Sequence, residues 1–148
     1  MAITQAMCTL FKKDLLLGDH HLDTDDIRIA LYTSSASLSA STDGYTTSNE
    51  ITNASGSAYT AGGLALSSKA VTEDSTSGVF DAADPEWTSA SFTANGALIY
   101  NKTLGDASSN ARGAIAVLAF GGDFTVAGGT FKIVFPAATA SNAIVRID

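Results

Sequence analysis

The pattern of apolar residues changes period once, from helical spacing at the start of the chain to strand-type alternation further on. Near the start, apolar side chains recur at i, i+4, i+7 and i+8, which places them on one face of an α-helix. These residues are Ile3, Met7, Leu10 and Phe11. The spacing therefore predicts an amphipathic helix over residues 3–17, with Thr4 as N-cap and Gly18 as the stop.

Alternation with a period of two begins after a polar hinge at residues 19–26. Ile27, Ile29 and Leu31 alternate with less apolar neighbours, the pattern of a half-buried strand. Ala114–Phe120 is apolar at nearly every position, as expected for a central strand covered on both faces. Further strand candidates are Tyr59–Leu66, Ala70–Thr72, Val79–Phe80, Ser91–Thr93, Ala97–Tyr100, Phe131–Phe135 and Ala143–Ile147.

Clusters of Ser, Thr, Gly, Asn and Asp separate these strands at short intervals, which is typical of turns in antiparallel folds. The sequence thus predicts a mainly β protein: an antiparallel β-sandwich or jelly-roll with a short N-terminal amphipathic α-helix. We expect one domain over residues 1–148, with the helix in 1–18 and the sandwich in 27–148. The expected core residues are Ile29, Leu31, Leu98, Ile99, Ile115, Val117, Leu118, Phe131, Ile133, Phe135, Ile144 and Ile147.

Two irregular features need a separate interpretation. Ser34–Ser57 is long and rich in Ser and Thr, but Tyr45 and Ile51 within it predict an ordered surface loop anchored at two points. Three Gly-Gly pairs occur at irregular spacing, so they indicate hairpin turns or bulges rather than a repeat. The pairs are 62–63, 121–122 and 128–129.

Composition narrows the class of protein. A hydrophobic content of 45% excludes intrinsic disorder, and a net charge of −7 argues against nucleic acid as a partner. Cys8 is the single cysteine, which excludes an intrachain disulfide and makes the residue most simply a small apolar one at the helix edge. No apolar run is long enough for a membrane span, and we expect no cleaved secretory signal.

The hinge holds the densest set of possible metal ligands, namely Asp19, His20, His21, Asp23, Asp25 and Asp26. Adjacent histidines point apart in both helix and strand, so they do not converge on one ion. An EF-hand counted from Asp19 would need Gly and Glu where Thr24 and Ala30 stand. We therefore interpret the hinge as a solvated linker and expect no metal and no cofactor.

A second acidic group surrounds Trp87 and includes Asp81, Asp84 and Glu86. A glycosidase would need two such carboxyl groups across a cleft, but Pro85 favours a turn entering a strand. Nucleophile-elbow, P-loop and dinucleotide-binding motifs are absent from the sequence. These patterns favour a structural or binding protein over an enzyme.

Several long segments resemble a family of small structural proteins in the virions of tailed bacteriophages. The likeness extends from Met1 to Ile147 in unchanged order and carries no catalytic residues to transfer. The segments are MAITQAMC, FKKDLL, IRIALYTSSASL, YTAGG, WTSASFTANGALIYN, AIAVLAFGGDF and GTFKIVFPAATASNAIVRI. The resemblance implies a phage structural protein that is made in the host cytoplasm and located in the virion.

Within that class we expect a capsid decoration or cement protein that binds the major capsid protein or other virion proteins on the shell surface. A tail, neck or baseplate component is the alternative. A carbohydrate-binding module is a third hypothesis, for which the possible sugar platforms are Tyr32, Tyr45, Tyr59, Trp87 and Tyr100. We expect apolar attachment and self-association as a dimer or trimer. The first candidate contacts are Ile3, Met7, Leu10 and Phe11, unless the helix is instead a lid on its own sandwich.

Overall fold

The computed structural model describes residues 2–52 and 56–148. In them the chain is mainly β, with two antiparallel sheets and a short helix near the N-terminus, which confirms the predicted fold class. In chain order the elements are β1 (Ala6–Met7), α1 (Thr9–Leu16), β2 (Ile27–Tyr32), β3 (Leu64–Ala65), β4 (Ala70–Asp74), β5 (Ser77–Asp81), β6 (Glu86–Asn101), α2 (Lys102–Ser108), β7 (Ala114–Lys132) and β8 (Val145–Ile147).

The larger sheet has the strand order β1-β7-β6-β2-β3. Strand β2 pairs with β6 over its whole length, from Ile27 opposite Asn101 to Tyr32 opposite Gly96. The alternation predicted a half-buried β2, but five of its six residues are buried. Tertiary packing explains the additional burial of β2, because apolar side chains from the segment that follows it pack with Ala30 and Tyr32 in the same core.

Strands β6 and β7 form one long antiparallel ribbon where the sequence predicted several short strands. Their register runs from Glu86 opposite Lys132 to Tyr100 opposite Ala114 and shifts at four points. Such bulges insert extra residues without ending the pairing. Two of the predicted Gly-Gly pairs, 121–122 and 128–129, lie at these shifts, and Gly121 and Gly128 both have positive φ. Their interpretation as bulges is confirmed.

The smaller sheet has the order β4-β5-β8. Every residue of β4 is exposed, whereas Phe80 of β5 and Val145 of β8 are buried in the same core as the larger sheet. The three predicted strands in this region are confirmed with shifted ends. Tyr59–Leu66 is reduced to the two residues of β3, since the segment before it forms side-chain contacts rather than a ladder.

The N-terminal segment differs from the predicted helix over residues 3–17. Helix α1 begins at Thr9 after the N-cap Cys8, so Thr4 is not the N-cap. Residues Ala6–Met7 form β1 instead, because they pair with Val117 and Ala116 at the edge of β7. The backbone bonds of this pairing outweigh the helical periodicity. Gly18 has a φ of 79° directly after the C-cap, as predicted for the stop.

The predicted core is half correct. Six of its residues have at most trace exposure, namely Ile29, Leu31, Leu98, Ile99, Ile115 and Val117. Five others are only half-buried, namely Leu118, Phe131, Ile133, Phe135 and Ile144, and Ile147 is 50% exposed. Strand β7 ends at Lys132 on the border of its sheet, where one side of Phe131 remains uncovered. The predicted strand Phe131–Phe135 is therefore wrong beyond its second residue.

The long segment after β2 is ordered in its described parts, with Asn53–Ser55 lying outside the described residues. Ile51 is buried, and the Tyr45 ring stacks on Tyr100 with centroids 4.8 Å apart, so the two predicted anchors are confirmed. At its end Gly63 has a φ of 72°, and a Cβ there would lie 1.8 Å from the carbonyl oxygen of Ile29. Only glycine permits this close approach to β2.

Candidate interaction surface

The outer half of the β6–β7 ribbon extends beyond the strands that flank it. Strand β2 reaches β6 only as far as Gly96, and β1 reaches β7 only at Ala116 and Val117. Within residues 2–52 and 56–148, backbone hydrogen bonds from Phe120–Lys132 to another strand go to β6 alone. The opposite edge of β7 therefore presents unpaired backbone N–H and C=O groups, which form a template for another strand.

Beside this edge lies a shallow cavity of about 420 Å³, here called the β7 groove. Its lining is mostly apolar, and Phe124 at its rim is 53% exposed. The lining residues are Phe120, Phe124, Thr125, Val126, Thr130, Phe131, Lys132 and Ile133.

The bulges determine which side chains share the groove. Val126 and Phe131 are five residues apart, so in a regular strand they would point to opposite faces. The extra residue at Gly128 restores them to one face, and Ser89 with a φ of 49° does the same on β6. As a result Val126 lies opposite Phe92 and Phe131 lies opposite Trp87.

Aromatic contacts hold the floor of the groove. The Phe131 ring lies 5.1 Å from Phe92 and 6.1 Å from Phe120, measured between centroids. Trp87 packs edge-on against Phe131 from below and is 3% exposed. Because Trp87 belongs to the core, the exposed rings of the groove rest on a rigid base rather than on a mobile loop.

The residues first expected to contact a partner lie against the protein's own sheet. Phe11 is fully buried, and Ile3 and Met7 are half-buried against the core, while Leu10 is half-buried. This placement favours the lid interpretation of the helix that the sequence left open. A partner contact through these four side chains stays a prediction, and Phe11 can take part only if α1 leaves the sheet.

Two leucines that the sequence analysis did not single out are exposed at the C-terminal end of α1, where Leu16 is the last helical residue and Leu17 the C-cap. Leu16 is 90% exposed and Leu17 is 64% exposed. Lys12 and Lys13 precede them by one helical turn and are also exposed. The sequence signal that could have identified these two leucines is that they lie off the helical face that carries Phe11.

A buried glutamate holds the long loop on the larger sheet and was also missed. Glu50 is 7% exposed and accepts hydrogen bonds from the hydroxyls of Tyr45 and Tyr59, both at 2.6 Å, and from the Gly62 N–H at 2.7 Å. Burial and the Glu50 carboxylate raise the pKa of Tyr59 above its usual range, so its hydroxyl stays a donor. Glu50 and Tyr59 are buried, and the hydrogen bonds of the cluster are internal to the protein, so the cluster has a structural role.

The hinge is more ordered than a solvated linker, which corrects that interpretation. His20 is 7% exposed and packs edge-on against Phe11, while the side chain of His21 is exposed, so the two rings do not converge. The Asn101 side-chain nitrogen lies 3.3 Å from His20 Nδ1 and donates to Asp25 at 2.6 Å. The hinge therefore lies between α1 and the C-terminal end of β6, where His20 contacts Phe11 and Asn101.

Two further hinge acids, Asp19 and Asp26, form ion pairs. Arg112 forms ion pairs with Asp19 and with the buried Asp14, the latter at 3.0 Å. Asp26 pairs with Arg28 at 3.0 Å. Within the described residues no group of three or more His, Cys, Asp or Glu side chains is placed to hold a metal ion.

The residues considered for glycan chemistry are mostly inside the protein. Tyr32, Tyr59, Trp87 and Tyr100 are each at most 3% exposed, so they cannot form the proposed sugar platform. Their rings are needed in the core, and three of the hydroxyls donate internally. Asp84 lies 3.8 Å from Lys132 and accepts from the Phe135 N–H. The strand predicted after Pro85 is confirmed as the start of β6, whereas residues 82–85 are irregular and form no turn.

Comparison with known proteins adds no relative, since no protein-family model, curated protein or solved structure matches this chain. None of the helices in the described part of the chain has the length and apolar character needed to cross a membrane.

Proposed function

We propose that the protein is a structural component of a tailed-bacteriophage particle, most specifically a capsid decoration or cement protein on the shell. The family assignment rests on the resemblance of its sequence segments. The structural observation that supports it is that an open strand edge lies directly beside the β7 groove. Both features are suited to contact with another protein rather than with a small substrate.

The open edge and the groove favour an extended protein segment as the bound element. Unpaired N–H and C=O groups along Phe120–Lys132 offer backbone hydrogen bonds, and the groove offers pockets for apolar side chains. This combination is the one used in β-strand addition, where the backbone supplies affinity and the pockets supply specificity.

The scarcity of charged residues in the β7 groove also supports an apolar contact there. The groove lining contains one charged residue, Lys132, which already faces Asp84 at 3.8 Å. Screening by salt weakens exposed ion pairs but leaves apolar burial largely intact. Attachment through this surface should therefore persist at moderate salt, and the net charge of −7 disfavours attachment to nucleic acid.

Quantitative mass spectrometry of purified particles tests the proposal. We expect the chain in hundreds of copies, in a fixed ratio to the major capsid protein. About a dozen copies would instead assign it to the tail, neck or baseplate. Absence from particles that contain all other structural proteins would overturn the virion assignment.

A further inference from the structure

The buried side chain of His20 connects the hinge to helix α1 and to the end of β6. Its ring is 7% exposed and packs edge-on against Phe11 of α1, with ring centroids 4.8 Å apart. Its Nδ1 lies 3.3 Å from the side-chain nitrogen of Asn101, the last residue of β6. A change in the state of this one ring therefore affects how the hinge holds both elements.

The contacts of Asn101 determine which ring nitrogen of His20 carries the proton. Asn101 Oδ1 accepts a hydrogen bond from the Leu104 N–H at 3.2 Å, and Nδ2 donates to Asp25 at 2.6 Å. The reversed amide would turn its NH₂ group toward the Leu104 N–H and its oxygen toward the Asp25 carboxylate, so the orientation is fixed. Because Nδ2 is a donor, Nδ1 of His20 is the acceptor, and the neutral ring carries its proton on Nε2.

A second proton on His20 finds no acceptor while the hinge is in place. It would add at Nδ1, where the NH₂ group of Asn101 already directs a hydrogen at the ring. Nε2 is buried and has no hydrogen-bond partner among the described residues. A charged ring in this site would thus hold two buried N–H donors without acceptors, which folded proteins avoid.

Burial lowers the pKa of His20 and outweighs the charged groups that face the ring. Asp14 faces it from α1, Asp25 and Asp19 face it from the hinge, and Arg112 faces it from the segment before β7. The three carboxylates favour a charged ring, but Asp14 and Asp19 are already paired with Arg112. The folded hinge therefore resists the proton that a solvated histidine accepts.

We propose that His20 is a proton-sensitive latch, which holds α1 on the larger sheet at neutral pH and releases it on acidification. Protonation at Nδ1 drives the ring out of its site, and the hinge moves with it. Phe11, fully buried while the latch is closed, then becomes accessible. Strands β2, β6 and β7 stay paired, because their ladders do not include the hinge. The inference concerns contacts within one chain and does not rest on the proposed function.

The single cysteine and the single tryptophan report on different parts of this opening. Cys8 is fully buried as the N-cap of α1, so a thiol reagent reaches it when α1 leaves the sheet. Labelling of the full chain by 4,4′-dithiodipyridine is measured from about pH 7.5 to about pH 5, relative to the urea-unfolded chain at each pH. We expect this relative rate to rise at least about 10-fold as the pH falls. The fluorescence of Trp87, which is 3% exposed in the core, should stay native.

Two histidine variants distinguish the latch from a general sensitivity to acid. His20→Asn keeps an acceptor near the position of Nδ1 but takes up no proton, so its relative labelling rate should not change with pH. His21→Asn is the matched control, because His21 is the exposed neighbour and its loss should leave the rise intact. The proposal is overturned if the wild-type rate does not rise, if the rise persists in His20→Asn, or if Trp87 loses its native fluorescence at the same pH as Cys8 becomes reactive.

NMR of the nitrogen-labelled wild type tests the latch without any substitution. Long-range proton–nitrogen correlations distinguish a protonated ring nitrogen from an unprotonated one. At about pH 8 we expect the His20 proton on Nε2, with Nδ1 unprotonated. A proton on Nδ1 would overturn the proposal even if His20→Asn fails to fold, because the latch depends on this tautomer.

Discussion

Removal of one hydroxyl, in Tyr59→Phe, should destabilise the protein more than its small chemical change suggests. Tyr59 is 1% exposed, and its hydroxyl donates to Glu50 Oε1 at 2.6 Å while accepting from the Leu31 N–H at 2.9 Å. The hydroxyl therefore joins the buried carboxylate to the backbone of β2. Its loss leaves both partners short of a hydrogen bond.

The magnitude follows from these two contacts. A hydrogen bond to a carboxylate contributes about 1.5–3 kcal/mol, and a buried N–H left without an acceptor costs about 1–3 kcal/mol. We expect Tyr59→Phe to lower the free energy of unfolding by about 3–5 kcal/mol. Tyr45→Phe is the matched control, because the half-buried Tyr45 donates to the other oxygen of Glu50 but accepts no hydrogen bond from β2, and should cost about 1.5 kcal/mol.

Equilibrium unfolding in urea measures both values, provided that the m-values agree between variants. A double-mutant cycle with Glu50→Gln then isolates the contact, and we expect coupling of about 1–2 kcal/mol between Tyr59 and Glu50. The reasoning is refuted if Tyr59→Phe costs no more than Tyr45→Phe, or if the coupling is zero within error.

Three further predictions concern the N-terminal region. Burial raises the pKa of the Cys8 thiol to about 11, so iodoacetamide at pH 8 should label the native protein at least about 100-fold more slowly than the urea-unfolded protein; equal rates would contradict this. Burial lowers the pKa of His20, so the unfolded chain takes up a proton at a higher pH than the folded protein. The His20 contribution to stability should be complete above about pH 6.5 and should fall as the pH drops below that value. His20→Asn should remove this pH-dependent component in urea titrations, and an unchanged pH dependence would count against the reasoning. Phe11→Ala should cost about 3–5 kcal/mol, because Phe11 is fully buried, whereas the equivalent change at the exposed Leu16 should cost less than about 0.5 kcal/mol; similar losses at both sites would refute the lid interpretation of α1.

Local pattern predicted those parts of the fold that depend on neighbouring residues in sequence. The alternation at Ile27–Tyr32 located β2, and the apolar run from Ala114 located the buried start of β7. Gly-Gly pairs marked the bulges. Helix α2 escaped because its seven residues are too short for a periodicity, although its N-cap Asn101 accepts a bond from the Leu104 N–H at 3.2 Å.

Features that depend on residues distant in the sequence could not be predicted from the local pattern of apolar and polar residues. The same apolar residues at the start fit a helix or a strand, and only the edge of β7 made Ala6–Met7 a strand. The alternation of Phe131 and Ile133 predicted that their side chains share one face, but it could not show whether other side chains cover that face. These residues were therefore assigned to the core, whereas they line the β7 groove. Glu50 in a Ser- and Thr-rich loop gave no sign of its tyrosine partners, which lie 5 and 9 residues away.

Hydrogen–deuterium exchange on the chain, free and within purified particles, tests the central claim most directly. Amide hydrogens on the open edge of Phe120–Lys132 should exchange quickly in the free protein and become protected in the particle, because that edge is the proposed contact. Peptides from β4, whose residues are all exposed in an edge strand of the other sheet, provide the internal comparison and should change little. Equal exchange of the β7 peptides in both samples, with protection appearing at β4 instead, would contradict the account.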